Sequence, residues 1–286
     1  MPDTTFAPSE DPVAAIGRTE TGHDLIAADR VAALAATLDV DPPARELPPG
    51  WHWLYFNPFV RRGALGRDGH PRRGGFLPDA GLPRRMWAGG RLTYHAPLPI
   101  GVQATRESTI RDVATKDGRS GRLVFVTVAH RVHHEGTLCI EEEQDIVYRE
   151  AQPPAAPGTA APQGKPAPDD ATWSEEVAPD PVLLFRYSAL TANGHRIHYD
   201  RPYAMGEEGY PGLVVHGPLT ATLLQGLAAR CRPHERLATF SFRGMAPLFC
   251  DAPFHLEARD NDSELALWAR GPGGLLAMQA EATFRA

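Results

Sequence analysis

The segment Phe185–Leu224, FRYSALTANGHRIHYDRPYAMGEEGYPGLVVHGPLTATLL, gathers the residue types that acid–base chemistry needs. Asn193 to Tyr203 packs an Asn, two His, two Arg, two Tyr and an Asp into eleven residues. Imidazole titrates nearest neutral pH, so His195 and His198 are the natural groups for moving a proton to or from water. Gly209-Tyr-Pro-Gly212 then breaks the backbone, and Leu213 to Leu219 leads into the apolar run Leu219 to Ala229. Proline is favoured just inside a helix start, so Pro218 predicts a long buried helix whose amino end is His216-Gly217. Such an end carries free N–H groups and the positive pole of the helix dipole, which suits a developing oxyanion.

These residues need a scaffold, and the rest of the chain reads as strands around few helices. Leu25, Ile26, Val31, Leu34, Ala35 and Leu38 recur at helical spacing and predict a helix over 24–38, stopped by Pro42-Pro43. Residues 1–23 read as loose, Trp51–Phe56 as a strand or a segment packed under one, and 60–83 as a long loop. Strands are expected over 90–95, 103–113, 122–133 and 137–149, with hairpin turns at Lys116–Arg119 and His134–Gly136. Six Pro and six Ala in residues 151–168 predict a semi-extended linker. After the long helix, 237–243, 254–260, 264–270 and 275–284 again read as strands. Ala96-Pro-Leu98 and Ala246-Pro-Leu248 fall at matching points, so the economical account is an internal duplication in an α+β chain. The implied division is 1–150, a linker at 151–172, and 173–286.

Composition narrows the class. The chain has 286 residues, 42% of them hydrophobic and 22% charged, as in soluble globular proteins. A net charge of −6 offers no general attraction to nucleic acid or anionic membrane. No apolar run is long enough to span a bilayer and the amino terminus is polar, so a cytoplasmic protein is expected. Three scattered cysteines propose no disulfide framework. His195/His198 and His130/His133/His134 have some ligand spacing but no completing Cys or carboxylate, so no metal is expected. Phosphate-loop, dinucleotide and serine-elbow motifs are absent.

Tyr187, Leu190 and Gly194, then His198-x5-Ala204, then His216-Gly217 together resemble the MaoC-like hydratases of the hot-dog fold. The string is most similar to the branch of two-hot-dog acyl-thioester dehydratases that includes itaconyl-CoA and mesaconyl-CoA hydratases and mitochondrial-type 3-hydroxyacyl-thioester dehydratases. The resemblance implies a double hot dog, two antiparallel sheets each wrapping a helix and packed as a pseudo-dimer, with the first unit degenerate. It also implies a hydro-lyase acting reversibly on an α,β-unsaturated acyl-CoA, plausibly a short branched dicarboxylyl-CoA. No cofactor is implied beyond the substrate's own CoA, and a homo-oligomer is open.

Carried over residue by residue, the resemblance makes His198 the acid–base group and the Gly217 N–H the oxyanion donor. Asn193 stands where the simpler hydratases have Asp; it orients a water or carbonyl but takes no proton. His195 and Asp200 are the neighbours that could help, although a helix cap or an ion pair with Arg196 or Arg201 is the preferred reading of Asp200. Substrate-binding roles fall to His195, His216, Gln225 and the pair Arg84-Arg85. That pair could clamp a second carboxylate or hold the phosphates of CoA. The alternatives to a CoA hydratase are an inactive acyl-thioester-binding subunit, kept open by Asn193, and a carrier-protein substrate.

Overall fold

Five strands come from the first part of the chain: β1 (Thr19–Leu25), β2 (Arg84–Tyr94), β3 (Gln103–Gly118), β4 (Gly121–His134) and β5 (Thr137–Arg149). Five come from the second: β6 (Trp173–Val177), β7 (Arg236–Gly244), β8 (Phe254–Asn261), β9 (Glu264–Arg270) and β10 (Leu276–Arg285). In this computed structural model, which describes residues 11–118, 121–151, 164–261 and 263–286, all ten form one antiparallel sheet. Most of the expected linker, and Arg119 of the expected turn, lie outside the described residues.

The strand order β1-β3-β4-β5-β2-β7-β10-β9-β8-β6 is one five-strand arrangement followed by its two-fold mate. β2 and β7 join them at the centre, Gly89 opposite Arg243 and Thr93 opposite Thr239. The two Ala-Pro-Leu corners are geometrically equivalent: Ala96 N–H donates to Cys139 O, and Ala246 N–H to Ala277 O. A hot-dog sheet doubled in this way is the α+β architecture that the sequence reading implies.

Four helices accompany the sheet: α1 (Ala28–Leu38), α2 (Pro181–Leu190), α3 (Arg201–Gly206) and α4 (Gly217–Cys231). α4 lies on β2 and β7–β10, burying Leu219, Ala221, Leu224, Leu227 and Ala228. Each of the three buried leucines contributes about 1.5–3 kcal/mol by leaving water. α1 packs chiefly on α2. The chain from α1 to β2 (39–83) is as long as that from α2 to β7 (191–235), but it forms only short 3-10 turns, at Trp51–Leu54 and Arg62–Ala64. Six Gly and four Pro between residues 57 and 83 oppose a helix there. The expectation of one wrapped helix per half therefore holds for the second half alone. In the first, Phe76, Leu77, Ala80 and Leu82 pack from this loop onto apolar residues of β3–β5.

Other differences are local. β1 and β6 escape hydrophobic patterning because both are edge strands, where Glu and Thr are well tolerated. The first helix starts at Ala28, since Asp24 and Leu25 end β1 and the Asp24 carboxylate accepts from Phe56 N and Arg30. β2 begins at Arg84 rather than Gly90, placing both arginines on a strand. Among the described residues no helix is long and apolar enough to cross a membrane.

Candidate active site

The polar loop is built from its own side chains. Asn193 N–H donates to Ser188 O at the end of α2, and its Oδ1 accepts from His195 N at 3.0 Å, an Asx turn that starts the 3-10 turn Arg196–His198. Asp200 caps α3 through Tyr203 N and pairs with Arg196 at 2.7 Å. Its carboxyl is held low by the Arg196 hydrogen bond, so Asp200 is a structural anion and no proton donor.

His198 is buried, and its Nδ1 lies 2.7 Å from Val214 O. A carbonyl only accepts, so Nδ1 carries the hydrogen and Nε2 remains as the basic nitrogen. Burial first, and then His216, hold the His198 pKa well below its usual value, so the imidazole is neutral at neutral pH. The His216 ring stacks on it at 3.6 Å and 19°. His216 is itself fully buried, 2.8 Å from Ser188 Oγ through Nε2, and burial lowers its pKa to about 3.

A cavity of about 460 Å³ is walled by Asn193, His195, His198, Gly217, Arg84 and Arg85, among others. Gly217 is the first residue of α4 and Pro218 the second, one position later than the sequence suggested. The Gly217 N–H is thus one of the helix-start donors that lack an intrahelical acceptor, at the wall that His198 shares. Arg84 is engaged by Glu208, donating to its backbone O at 2.7 Å with the carboxylate 3.4 Å away. The same carboxylate lies 3.9 Å from His195.

Two expected substrate-binding residues do not line this cavity. His216 sits behind His198, as its support. Gln225, eight residues beyond Gly217 and so about 12 Å along the helix, is fully buried and accepts from the Tyr94 hydroxyl.

The structure also brings in residues that the sequence reading passed over. Asp68 and His70, from the long loop of the first half, line the cavity beside His195. Arg196 N–H donates to Asp68 O, and Gly69 crosses Gly194 so closely that a Cβ on either would overlap the other's carbonyl oxygen. Ligand-type atoms of Asp68, His70 and His195 lie within 4.8 Å of one another, whereas the rings of His195 and His198 stand at 90° and 5.6 Å. Burial would raise the Asp68 pKa, but His70 holds it at about 2; burial lowers that of His70 to about 4. Arg67-Asp-Gly-His70 reads as a surface turn, and no local pattern ties it to a distant loop.

A second chamber, about 280 Å³, shares Leu77, Trp87, Gln144, Ile146, Asn193 and Pro218 with the first. It carries Arg106, His52, His130 and Glu142, none of them singled out from the sequence as substrate-binding. Glu142 is buried and accepts from Trp53 Nε1 (2.8 Å) and Gln144 Nε2 (2.9 Å), with His52 Nε2 at 3.1 Å. Burial would raise its pKa; the His52 hydrogen bond and neighbouring charges bring it down to about 2.

Residues 50–250 match the family model for hydroxyacyl-thioester dehydratase type 2. The chain is 53% identical over 278 residues to the mesaconyl-C(4)-CoA hydratase of Chloroflexus aurantiacus, covering 95% of this chain and 97% of that one. It is 26% identical to the mitochondrial hydroxyacyl-thioester dehydratase type 2 of Schizosaccharomyces pombe, over 87% and 86% of the two chains. Among solved structures, HtdX of Mycobacterium tuberculosis matches with a TM-score of 0.67 at 18% identity, over 94% of this chain and all of that one. A double-hotdog protein of the same organism matches at 0.55 and 13% identity, over 94% and 96%. These two likenesses concern the fold alone.

Proposed function

The chain belongs to the hydroxyacyl-thioester dehydratase type 2 family, and from that membership we propose that it is a hydro-lyase adding water reversibly across the α,β double bond of an acyl-CoA. The acyl group we assign is short, branched and dicarboxylic, with mesaconyl-C4-CoA as the leading substrate. The observation that carries this reading is the neutral His198, its Nδ1–H fixed by Val214 O, on the same cavity wall as Asn193 and the amino end of α4.

In this reading Nε2 of His198 takes a proton from a water that the Asn193 amide orients. The oxygen adds to the β-carbon and the double-bond electrons move onto the thioester oxygen, where the Gly217 N–H and the α4 dipole stabilise the charge. The proton on Nε2 then goes to the α-carbon, leaving a 3-hydroxyacyl-CoA and the neutral imidazole. One group serves as base and acid in turn, so the Asn at position 193 is no obstacle, and the steps use no cofactor. Conjugation of the double bond with the thioester is required. Mesaconyl-C4-CoA has it; itaconyl-CoA with its thioester on the remote carbonyl does not, which ranks it second. Arg84, held by Glu208, and Arg85 line the first cavity and are assigned to the CoA side of the ligand. A cytoplasmic location fits such a substrate.

The test is direct. Purified protein and mesaconyl-C4-CoA should lose the ultraviolet enoyl-thioester band while the product gains the mass of one water. Unchanged absorbance with this and with simpler enoyl-CoA esters would reduce the protein to an acyl-thioester-binding subunit.

A further inference from the structure

Strand registers allow the two halves to be matched residue by residue. Leu92 and Phe242 occupy equivalent places on β2 and β7, and they pair with Glu142 and Ala280. Those pair in turn with His130 and Leu267, and the next partners are Ser108 and Ala258. Two residues earlier on the same face stand Arg106 and Leu256. In the second half these positions are apolar, buried and covered by α4. In the first half Arg106, His130 and Glu142 line the second chamber instead. Burying polar and charged groups costs free energy unless they are compensated, so a run of such groups on one face of a duplicated sheet points to a ligand.

Two atoms say which ligand. Of the eight buried side-chain atoms without a hydrogen-bond partner among the described residues, Arg106 Nε and His52 Nδ1 are the two whose residues line this chamber. His52 is 3% exposed. Arg106 Nη2 donates to Phe56 O at 3.1 Å, the guanidinium lies 5.4 Å from the centroid of the Phe56 ring, and Glu20, 44% exposed, is 3.7 Å away. Glu142 spends its oxygens on His52, Trp53 and Gln144, and Arg106 Nε is left without an acceptor.

We propose that the second chamber seats the free carboxylate of the acyl group, with Arg106 as its cation and His52 in the wall beside it. This rests on the hydratase reading above and deepens it by naming the residues that select a dicarboxylyl substrate. Asn193, which lines both spaces, marks where the acyl group passes from one to the other. His130 Nδ1 lies 2.9 Å from Ser108 Oγ, so this His is a fixed neutral wall beside the guanidinium.

The experiment compares mesaconyl-C4-CoA with 3-methylcrotonyl-CoA, in which a methyl replaces the carboxylate, in the wild type, Arg106→Gln and Arg106→Lys. Arg106→Gln should raise KM for mesaconyl-C4-CoA on the order of 10- to 100-fold, the worth of a charge-assisted hydrogen bond. It should leave KM for 3-methylcrotonyl-CoA within about threefold by the same reasoning, and Arg106→Lys should recover part of the loss. Equal losses on both substrates would make Arg106 a support of the fold and overturn the proposal, as would an unchanged preference. A variant-free measurement stands beside it. In a crystal of the wild type with succinyl-CoA, the carboxylate should lie against Arg106; a carboxylate against Arg84 or Arg85 overturns the assignment. Wild-type protein that turns over neither enoyl-CoA would count against the hydratase reading, and the succinyl-CoA complex would still decide the carboxylate seat.

Discussion

Arg106, Ser108, His130 and Glu142 stand in the first half where Leu256, Ala258, Leu267 and Ala280 stand in the second. The backbone plan is shared, and the difference follows from what covers the sheet. A fifteen-residue helix lies on the second face and packs there against close-fitting apolar side chains, at the density usual for protein interiors. A glycine- and proline-rich loop lies over the first, where space remains and polar groups are kept. Each half also places a histidine in a short 3-10 turn. His198 is held by a backbone carbonyl, which leaves it a free base, while His52 is held by the carboxylate of Glu142. On the proposed assignments, proton transfer and substrate recognition occupy different halves of one framework.

The largest effect should separate the two histidines. His198→Ala should cut kcat by about 10²–10⁴-fold while acyl-CoA binding persists, since a positioned acid–base group contributes that much. Near-normal kcat in this variant would move the proton chemistry to another residue. Exchanging the sheet faces comes next. Ala280→Glu puts an unpaired charge under α4 and should destabilise by about 4 kcal/mol or more. Glu142→Ala, which strips His52 and Trp53 of their acceptor, should cost about 3–5 kcal/mol. Urea midpoints read both, and a harmless Ala280→Glu would mean that the second face is less tightly packed than it looks.

Acid provides a graded test. Burial holds the pKa of His70 and His130 at about 4, that of His216 at about 3, and that of His198 well below 6.5. Each folded-state value is below the unfolded one, so the unfolded chain binds the extra protons and stability falls as pH drops from about 6.5 toward 4. At about 1.4 kcal/mol per pH unit for each histidine, four give a slope of roughly 5.5 kcal/mol per pH unit. Glu142 and Asp68, held at about 2, add their own loss only below their unfolded values near 4–4.5. His130→Leu, the second half's residue at that place, should reduce the slope by one histidine's share; a flat urea midpoint from pH 6.5 to 5 would refute the account.

The smallest effect concerns Asn193→Asp. A carboxylate beside His198 favours the imidazolium, so the acid limb of kcat/KM should move to higher pH while kcat stays within about tenfold. An unshifted limb would show that residue 193 does not feel the charge on His198.

Local pattern was enough for much of this protein. Alternation marked most strands, Pro218 and the apolar run after it marked α4, and the string from Tyr187 to Gly217 marked the loop that positions His198, because each depends on neighbours a few residues apart. The edge strands β1 and β6 carry no apolar stripe, and so nothing in their composition announced them. Registers between distant strands are set only when the sheet closes. That closure put Arg106, His130 and Glu142 on one face, crossed Gly69 over Gly194, turned Gln225 into the core and seated His216 behind His198. Long-range packing decided these positions, since side chains separated by a hundred residues have no common period for a sequence to display.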